Sequence, residues 1–355
     1  MENEAFVYES WQARVVFGPG RVDSVGDETA LLGAKRIFLI ADRNAPGAET
    51  ARRSLGTRLV GRWDEIAQHV PVELAERAGK AVESAAADCV VCLGGGSATG
   101  LGKAVVRKRP VPLVAVPTTY AGSEMTTVYG LTDGDRKVTG RDPNVRPKVV
   151  VYDPELTTGL PLAVTGPSAF NSLAHCVAAL TAPDADPVTS ALALEAVRHI
   201  HAGLPLVMAH PSDVEGRGRL QFGAFLAGTA LAGTGTGLNH RICHVLGGLL
   251  GLPHADTHSV VLPHVVALNA TALPRETARL AEALGAPGGD PAALLWDLAD
   301  RNGIATDLAS LGVRPEHLPV VAGRVEPRPN PRPVTADDIE RLLEHALAGR
   351  RPDTA

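Results

Sequence analysis

Short, wholly apolar runs separated by helical stretches recur through the first 155 residues or so, and they constrain the fold more than any other feature of the chain. Arg36–Ala41, Cys89–Leu93, Val111–Val116 and Lys148–Tyr152 contain such runs, with helical patterns between them at 74–87 and 100–107. A strand apolar at every position has no face to offer water, so it needs a layer on either side. Strand, helix, strand repetition therefore predicts a largely parallel sheet covered by helices on both faces. Phe6–Ser10 and Ala13–Phe17 read as two further strands, paired with each other and ended by Gly18-Pro19-Gly20.

Past Pro161 the texture changes to long Ala/Leu-rich helical patterns, and convincing strands disappear. Asp186 and Pro187 are placed to cap and open a helix that continues through Ser190–Ile200. Thr335-Ala336-Asp337-Asp338 has the form of a capping box and opens a final helix toward Leu347. The expected organisation is an α/β Rossmann-like amino-terminal domain over 1–158 and an all-α carboxy-terminal domain over 159–355. Pro327–Pro333 is the only biased segment, and its prolines make it an extended connector.

Composition excludes several classes. Lys and Arg total 34 against 39 Asp and Glu, so no broad basic surface for nucleic acid or anionic lipid is expected. No apolar run reaches the roughly 18 residues of a membrane helix. The acidic start Met1-Glu2-Asn3-Glu4 argues against a secretory signal, and four cysteines are too few for a disulfide scaffold. A cytoplasmic enzyme acting on a small molecule is expected.

Gly94-Gly95-Gly96-Ser97 follows one apolar run and opens a helix. Glycines there let backbone N–H groups approach a phosphate at a helix amino terminus, although a tight turn alone would also use them. Asp42, just past an earlier run, suits a ribose diol or is a surface turn residue. Pro117–Glu124 adds hydroxyls and small residues after another run. In the helical half, Asn171 and His175 are four apart, as are His240 and His244, so each pair shares a helix face; His254 follows ten residues on. Imidazoles grouped in an apolar background could bind a metal or act as acids and hydrogen-bond donors near neutral pH. Cys89 and Cys92, three apart on a strand, point to opposite faces and read as core, and Gly233–Gly237 reads as a bend ahead of His240.

Taken together, these segments resemble the iron-containing alcohol dehydrogenase superfamily, with its dehydroquinate synthase-like architecture, and within it the maleylacetate reductases. The likeness rests on Gly94–Ser97, Pro117–Thr126, Thr139–Pro143, Tyr152–Leu156, Cys243–Gly248, Leu252–His258 and Asn330–Pro333, and spans nearly the whole chain. It implies a nicotinamide cofactor, NADH or NADPH, held by Asp42, Gly94, Gly95, Gly96, Ser97, Thr118, Thr119, Ser123, Thr126 and Leu156. Asp42 favours NADH, because a carboxylate repels a 2′-phosphate. The resemblance implies catalytic roles for His175, His240, His244 and His254, with Asn171 and the cations Lys137, Arg141, Arg241 and Arg332 available to grip substrate. Asn171 stands where metal-dependent relatives carry Asp, which weakens a metal site, and the resemblance to maleylacetate reductases, similar in this respect, implies work without metal, so no metal is expected. The implied activity is NAD(P)H-dependent reduction of maleylacetate to 3-oxoadipate by a homodimer. A paralogue reducing another enone or keto acid, a metal-dependent alcohol dehydrogenase, and a non-redox lyase or cyclase on this scaffold are the alternatives. Asn239, Arg241 and the Gly166–Phe170 segment depart from the family pattern and bear on the substrate.

Overall fold

The computed structural model describes residues 6, 8, 13–134 and 136–353. Six strands form one parallel sheet: β1 (Arg14–Phe17), β2 (Ile37–Ile40), β3 (Leu59–Trp63), β4 (Cys89–Gly94), β5 (Leu113–Pro117) and, after a hairpin, β8 (Val149–Tyr152). Their order is β1-β8-β5-β4-β2-β3. The central strands β2, β4, β5 and β8 are buried at every position, as their uninterrupted apolar sequence requires. Helices α1 (Val25–Leu31), α2 (Ala48–Leu55), α3 (Val72–Ser84) and α4 (Gly96–Lys108) connect the strands. One core cluster joins Val25, Ala51 and Leu55 to Ile37, Cys89, Val91 and Val114. Cys89 and Cys92 are both buried, and burial pushes their thiols up to about 12, so neither is a thiolate near neutral pH.

Two features of this region differ from the sequence reading. β1 pairs in parallel with β8, Arg14 opposite Val149, and the Phe6–Ser10 strand falls largely outside the described residues. A separate antiparallel hairpin, β6 (Val128–Asp133) and β7 (Arg136–Arg141), turns at Gly134 in the left-handed region. Its sequence mixes glycine and charge with valine, a pattern too weak to announce a strand pair.

The rest is helical: α5 (Leu162–Thr181), α6 (Pro187–Ala209), α7 (Val214–Thr234), α8 (Leu238–Leu250), α9 (His254–Asn269), α10 (Pro274–Ala283), α11 (Pro291–Arg301), α12 (Leu318–Arg324) and α13 (Ala336–Leu347). Asp186 caps α6 by accepting from the amides of Val188 and Thr189, with Pro187 at the first helical position. Thr335 and Asp338 cap α13 reciprocally. Leu238, Ile242, Val261, Val321 and Leu343 bring α8, α9, α12 and α13 into one apolar cluster.

The described residues divide into two compact units, one within 13–160 together with 211–221, the other within 161–210 and 222–353. Arg217 fastens the 211–221 segment. Fully buried, it donates to the carbonyls of Pro211 and Leu160 and to the Tyr120 hydroxyl. No helix among the described residues is long and apolar enough to cross a membrane.

Candidate active site

In the α/β unit the chain runs outward from β2 to β3, then crosses back to β4 and continues away through β5. At such a reversal the loops leaving neighbouring strands diverge, and a crevice opens beyond their carboxyl ends. Asp42 follows β2 and Gly94-Gly95-Gly96-Ser97 ends β4, so the two segments flank this point. Gly94 has φ +143, which a side chain rarely adopts, and a Cβ there would lie 2.8 Å from that of Ala98. A Cβ on Gly95 would meet the Thr119 methyl at 2.9 Å. Gly95 caps α4 without a side chain, so the first-turn amides are left for an anion.

The other residues expected at the cofactor have varied surroundings. Thr118 follows β5 and donates its amide to the Gly94 carbonyl. The Thr126 hydroxyl donates to the Ser123 carbonyl and accepts from Lys103 Nζ and the Val128 amide. Leu156 is buried against Gly47 in the sheet's core cluster. Asp42 is exposed and accepts from the Asn44 amide, while neighbouring Arg43 is paired with Asp64 at 2.9 Å.

In the helical unit five histidines from three helices meet, and Asn171 lies one turn before His175 on the same helix. Asn171 and His175 lie on α5, His240 and His244 on α8, His254 and His258 on α9. His240 is the centre. Its ring stacks on His175 at 5.1 Å between centroids and lies 4.5 Å from His258, 6.3 Å from His244 and 6.4 Å from His254. His244 and His254 are stacked at 5.4 Å. His258 Nε2 is 3.1 Å from His254 Nε2, and its Nδ1 is 2.7 Å from the Asn239 side-chain amide, with the Cys243 thiol at 3.6 Å. His258 was not among the expected residues, although it lies four after His254, the spacing that marked the other pairs.

Burial keeps His175, His240 and His258 uncharged. Desolvation lowers His175 to about 4, and desolvation joined by neighbouring histidines holds His240 and His258 well below the ordinary imidazole range. Both ring nitrogens of His240 and Nδ1 of His175 are buried with no hydrogen-bond partner. An imidazole nitrogen left bare inside a protein costs about 1–3 kcal/mol, so the site is built to be completed by something else.

Of the four cations expected at the substrate, Arg241 is half-buried beside His240 and donates to the Pro329 carbonyl at 2.5 Å. Arg332 donates to the Leu268 carbonyl and faces Asp338 at 3.5 Å, and Asn330 exchanges amide hydrogen bonds with Asn269. The proline-rich connector is thereby strapped onto α8 and α9. Arg141 is exposed at the end of β7, and the Lys137 side chain lies outside the described residues.

Two family models match. Iron-containing alcohol dehydrogenase covers residues 12–154, and the carboxy-terminal model of the Fe-containing alcohol dehydrogenase family covers 165–347. A maleylacetate reductase from Burkholderia cepacia is 43% identical over 98% of this chain and 99% of its own. The crystal structure of maleylacetate reductase from Agrobacterium tumefaciens superposes with a TM-score of 0.94 at 42% identity, covering 98% of this chain and all of that one. An iron-containing alcohol dehydrogenase from Corynebacterium glutamicum gives 0.93 at 39% identity, covering 98% of both.

These matches overturn the expectation of no metal, since iron is the defining cofactor of the family matched. The expectation rested in part on Asn171 in place of Asp, but a neutral amide changes the charge of a ligand set without removing its donors. The residues present fit iron in donor type. Imidazole nitrogens suit it, and a ligating histidine must be neutral, which burial ensures here. Among the described residues no three His, Cys, Asp or Glu side chains already stand as a finished coordination set. The fit is therefore one of chemistry, carried by the bare nitrogens of His240 and His175. With both halves matched and the likeness running end to end, the chain belongs to the iron-containing alcohol dehydrogenase family.

Proposed function

We propose that this protein is an NAD(P)H-dependent oxidoreductase that reduces maleylacetate to 3-oxoadipate, acting as a cytoplasmic homodimer. The observation that carries the reading is a buried, uncharged histidine set in a chain 43% identical to a maleylacetate reductase over its length. On this reading the glycine turn and first-turn amides of α4 hold the cofactor pyrophosphate. Asp42 takes the adenosine ribose, and the pairing of Arg43 with Asp64 leaves Asp42 the nearer charge, which favours NADH.

Maleylacetate carries a C=C bond conjugated to a ketone, between two carboxylates. Hydride delivered to the carbon β to the ketone leaves an enolate, which is then protonated on carbon. Asn171, His175, His240 and His254 would hold the iron. Bound there, the metal supplies a Lewis acid for a carbonyl oxygen. His244 is the group assigned to the place beside the transferring hydride, where an imidazole N–H can donate to the developing enolate oxygen. Arg241, half-buried next to His240, and the hairpin cations Lys137 and Arg141 are the candidates for the two carboxylates.

NADH consumption, followed by its loss of absorbance with freshly generated maleylacetate, tests the reading. Rapid, stoichiometric oxidation giving 3-oxoadipate is expected. NADH binding without turnover of maleylacetate would sink the substrate assignment and turn attention to Asn239, Arg241 and Phe170.

A further inference from the structure

Lys103 lies on α4, seven residues beyond Gly96 and so on nearly the same helix face as the glycine turn. It is fully buried, in a position where a leucine or methionine would fill the space without the cost of desolvating a charge. Its ammonium is nevertheless well supplied. Nζ donates to the carbonyls of Ser123 at 2.5 Å, Thr126 at 2.8 Å and Val128 at 2.8 Å, and to the Thr126 hydroxyl at 3.1 Å. All four acceptors belong to one six-residue stretch, 123–128, that leads from β5 into the first residue of the hairpin, enters through Gly122 at φ +70 and makes a single 3-10 turn. Glu124 of the same stretch is buried and accepts from the Tyr152 hydroxyl at 2.7 Å, placing a carboxyl close enough to interact with the ammonium. Met125 and Glu124 anchor the stretch by burial, but a single irregular turn has no ladder of backbone hydrogen bonds to fix its peptide planes. Three carbonyls turned onto one cation fix them. Since Gly95 and Thr119 nearly touch, α4 thus supports both halves of the candidate cofactor site, with amides at its end and Lys103 in its middle.

We propose that Lys103 is a positioning residue for the nicotinamide cofactor, holding residues 123–128 in the conformation that lines the dinucleotide; this rests on the cofactor reading given above. Lys103 touches no reacting atom. Its removal loosens one wall of the binding site, so it alters cofactor affinity more than the chemical step.

The test compares the full-length wild type with Lys103→Met and with Lys103→Met/Glu124→Gln, the second removing both members of the buried pair so that no lone carboxylate is left behind. Three quantities are read: NADH dissociation constant by fluorescence titration, kcat at saturating NADH, and amide hydrogen exchange of residues 123–128. The expected result is a dissociation constant raised at least tenfold, kcat within about threefold of wild type, and faster exchange confined to that stretch and the adjoining hairpin. A dissociation constant within about twofold of wild type in the double variant overturns the proposal. So does a loss of kcat and thermal stability together with KM for NADH unchanged, the pattern of a merely structural lysine. Failure of the wild type itself to bind NADH would end the cofactor reading, and the positioning role with it.

Discussion

The two candidate sites are made of different materials. In the α/β unit the site is backbone: glycines at 94–96, the open amides of α4, and a following stretch whose carbonyls are gathered by Lys103. In the helical unit it is side chain, five imidazoles projected from three helices into a buried spot. Eleven of the twelve histidines lie in the helical unit, His69 being the exception. A backbone site fails when something is added to it. A side-chain site fails when something is taken away or its charge state changes.

The largest effect is expected from subtraction. His240→Ala removes the ring that stands against four others, and turnover should fall roughly 100- to 10,000-fold, with circular dichroism and melting temperature little altered. Wild-type turnover in that variant would dissolve the contrast, because the cluster would then be core and not site. Acid should separate the two regions next. Burial and neighbouring His345 hold His264 down to about 4, against an ordinary value near 6.5. Between those values the unfolded chain binds a proton that the native chain refuses, so stability rises with pH through the window. The contribution is complete above about 6.5 and lost as pH falls to about 4, and for a group this buried it amounts to about 3 kcal/mol. His264→Leu removes that loss and also removes a buried Nε2 that has no partner. Urea unfolding at pH 7 and at pH 4.5 should show a smaller drop in the variant than in the wild type; equal drops would mean that His264 does not report acid lability. Addition comes third. Gly95→Ala drives a methyl to 2.9 Å from the Thr119 methyl, a crowding worth about 1–3 kcal/mol, so KM for NADH should rise about tenfold. Thr119→Ser deletes the opposing methyl and should recover part of it. A double variant no better than Gly95→Ala would place the strain elsewhere.

The same contrast decides what could be read without coordinates. β4 and its glycines were legible because a run apolar at every position and a turn needing φ +143 each leave a local mark. So were the helix starts at Asp186 and Thr335, where a cap is one residue with one partner nearby. His175 and His240 were legible as helix-face pairs, but the sequence was silent on which nitrogens would be left bare. The edge strand β3 and the hairpin escaped because half-exposed strands lack continuous apolarity. Lys103 escaped for a different reason. A single lysine in a helix reads as solvated, and the carbonyls that hold it come from 20 to 25 residues further along. The return of 211–221 to the α/β unit depends likewise on Arg217 reaching Tyr120, a contact 97 residues apart. Local chemistry was visible; long-range satisfaction of buried polar groups was not.

The smallest effect is expected at Asn171, where the proposed ligand set carries a neutral amide. Asn171 is buried on the α5 face that carries His175, itself kept neutral by burial, so the proposed ligand set of one amide and three imidazoles has no carboxylate. Asn171→Asp supplies one at nearly constant volume. Without metal the new carboxylate is poorly solvated, and the variant should melt lower than wild type. With ferrous iron under anaerobic conditions the order should reverse, because the carboxylate then faces a dication and affinity gains about 1.4 kcal/mol, or tenfold. Melting temperature against iron concentration reads both arms without reference to turnover. A variant that melts lower by the same amount at every iron concentration would mean that position 171 is no ligand. The bare nitrogens of His240 and His175 would then have to be completed from another direction.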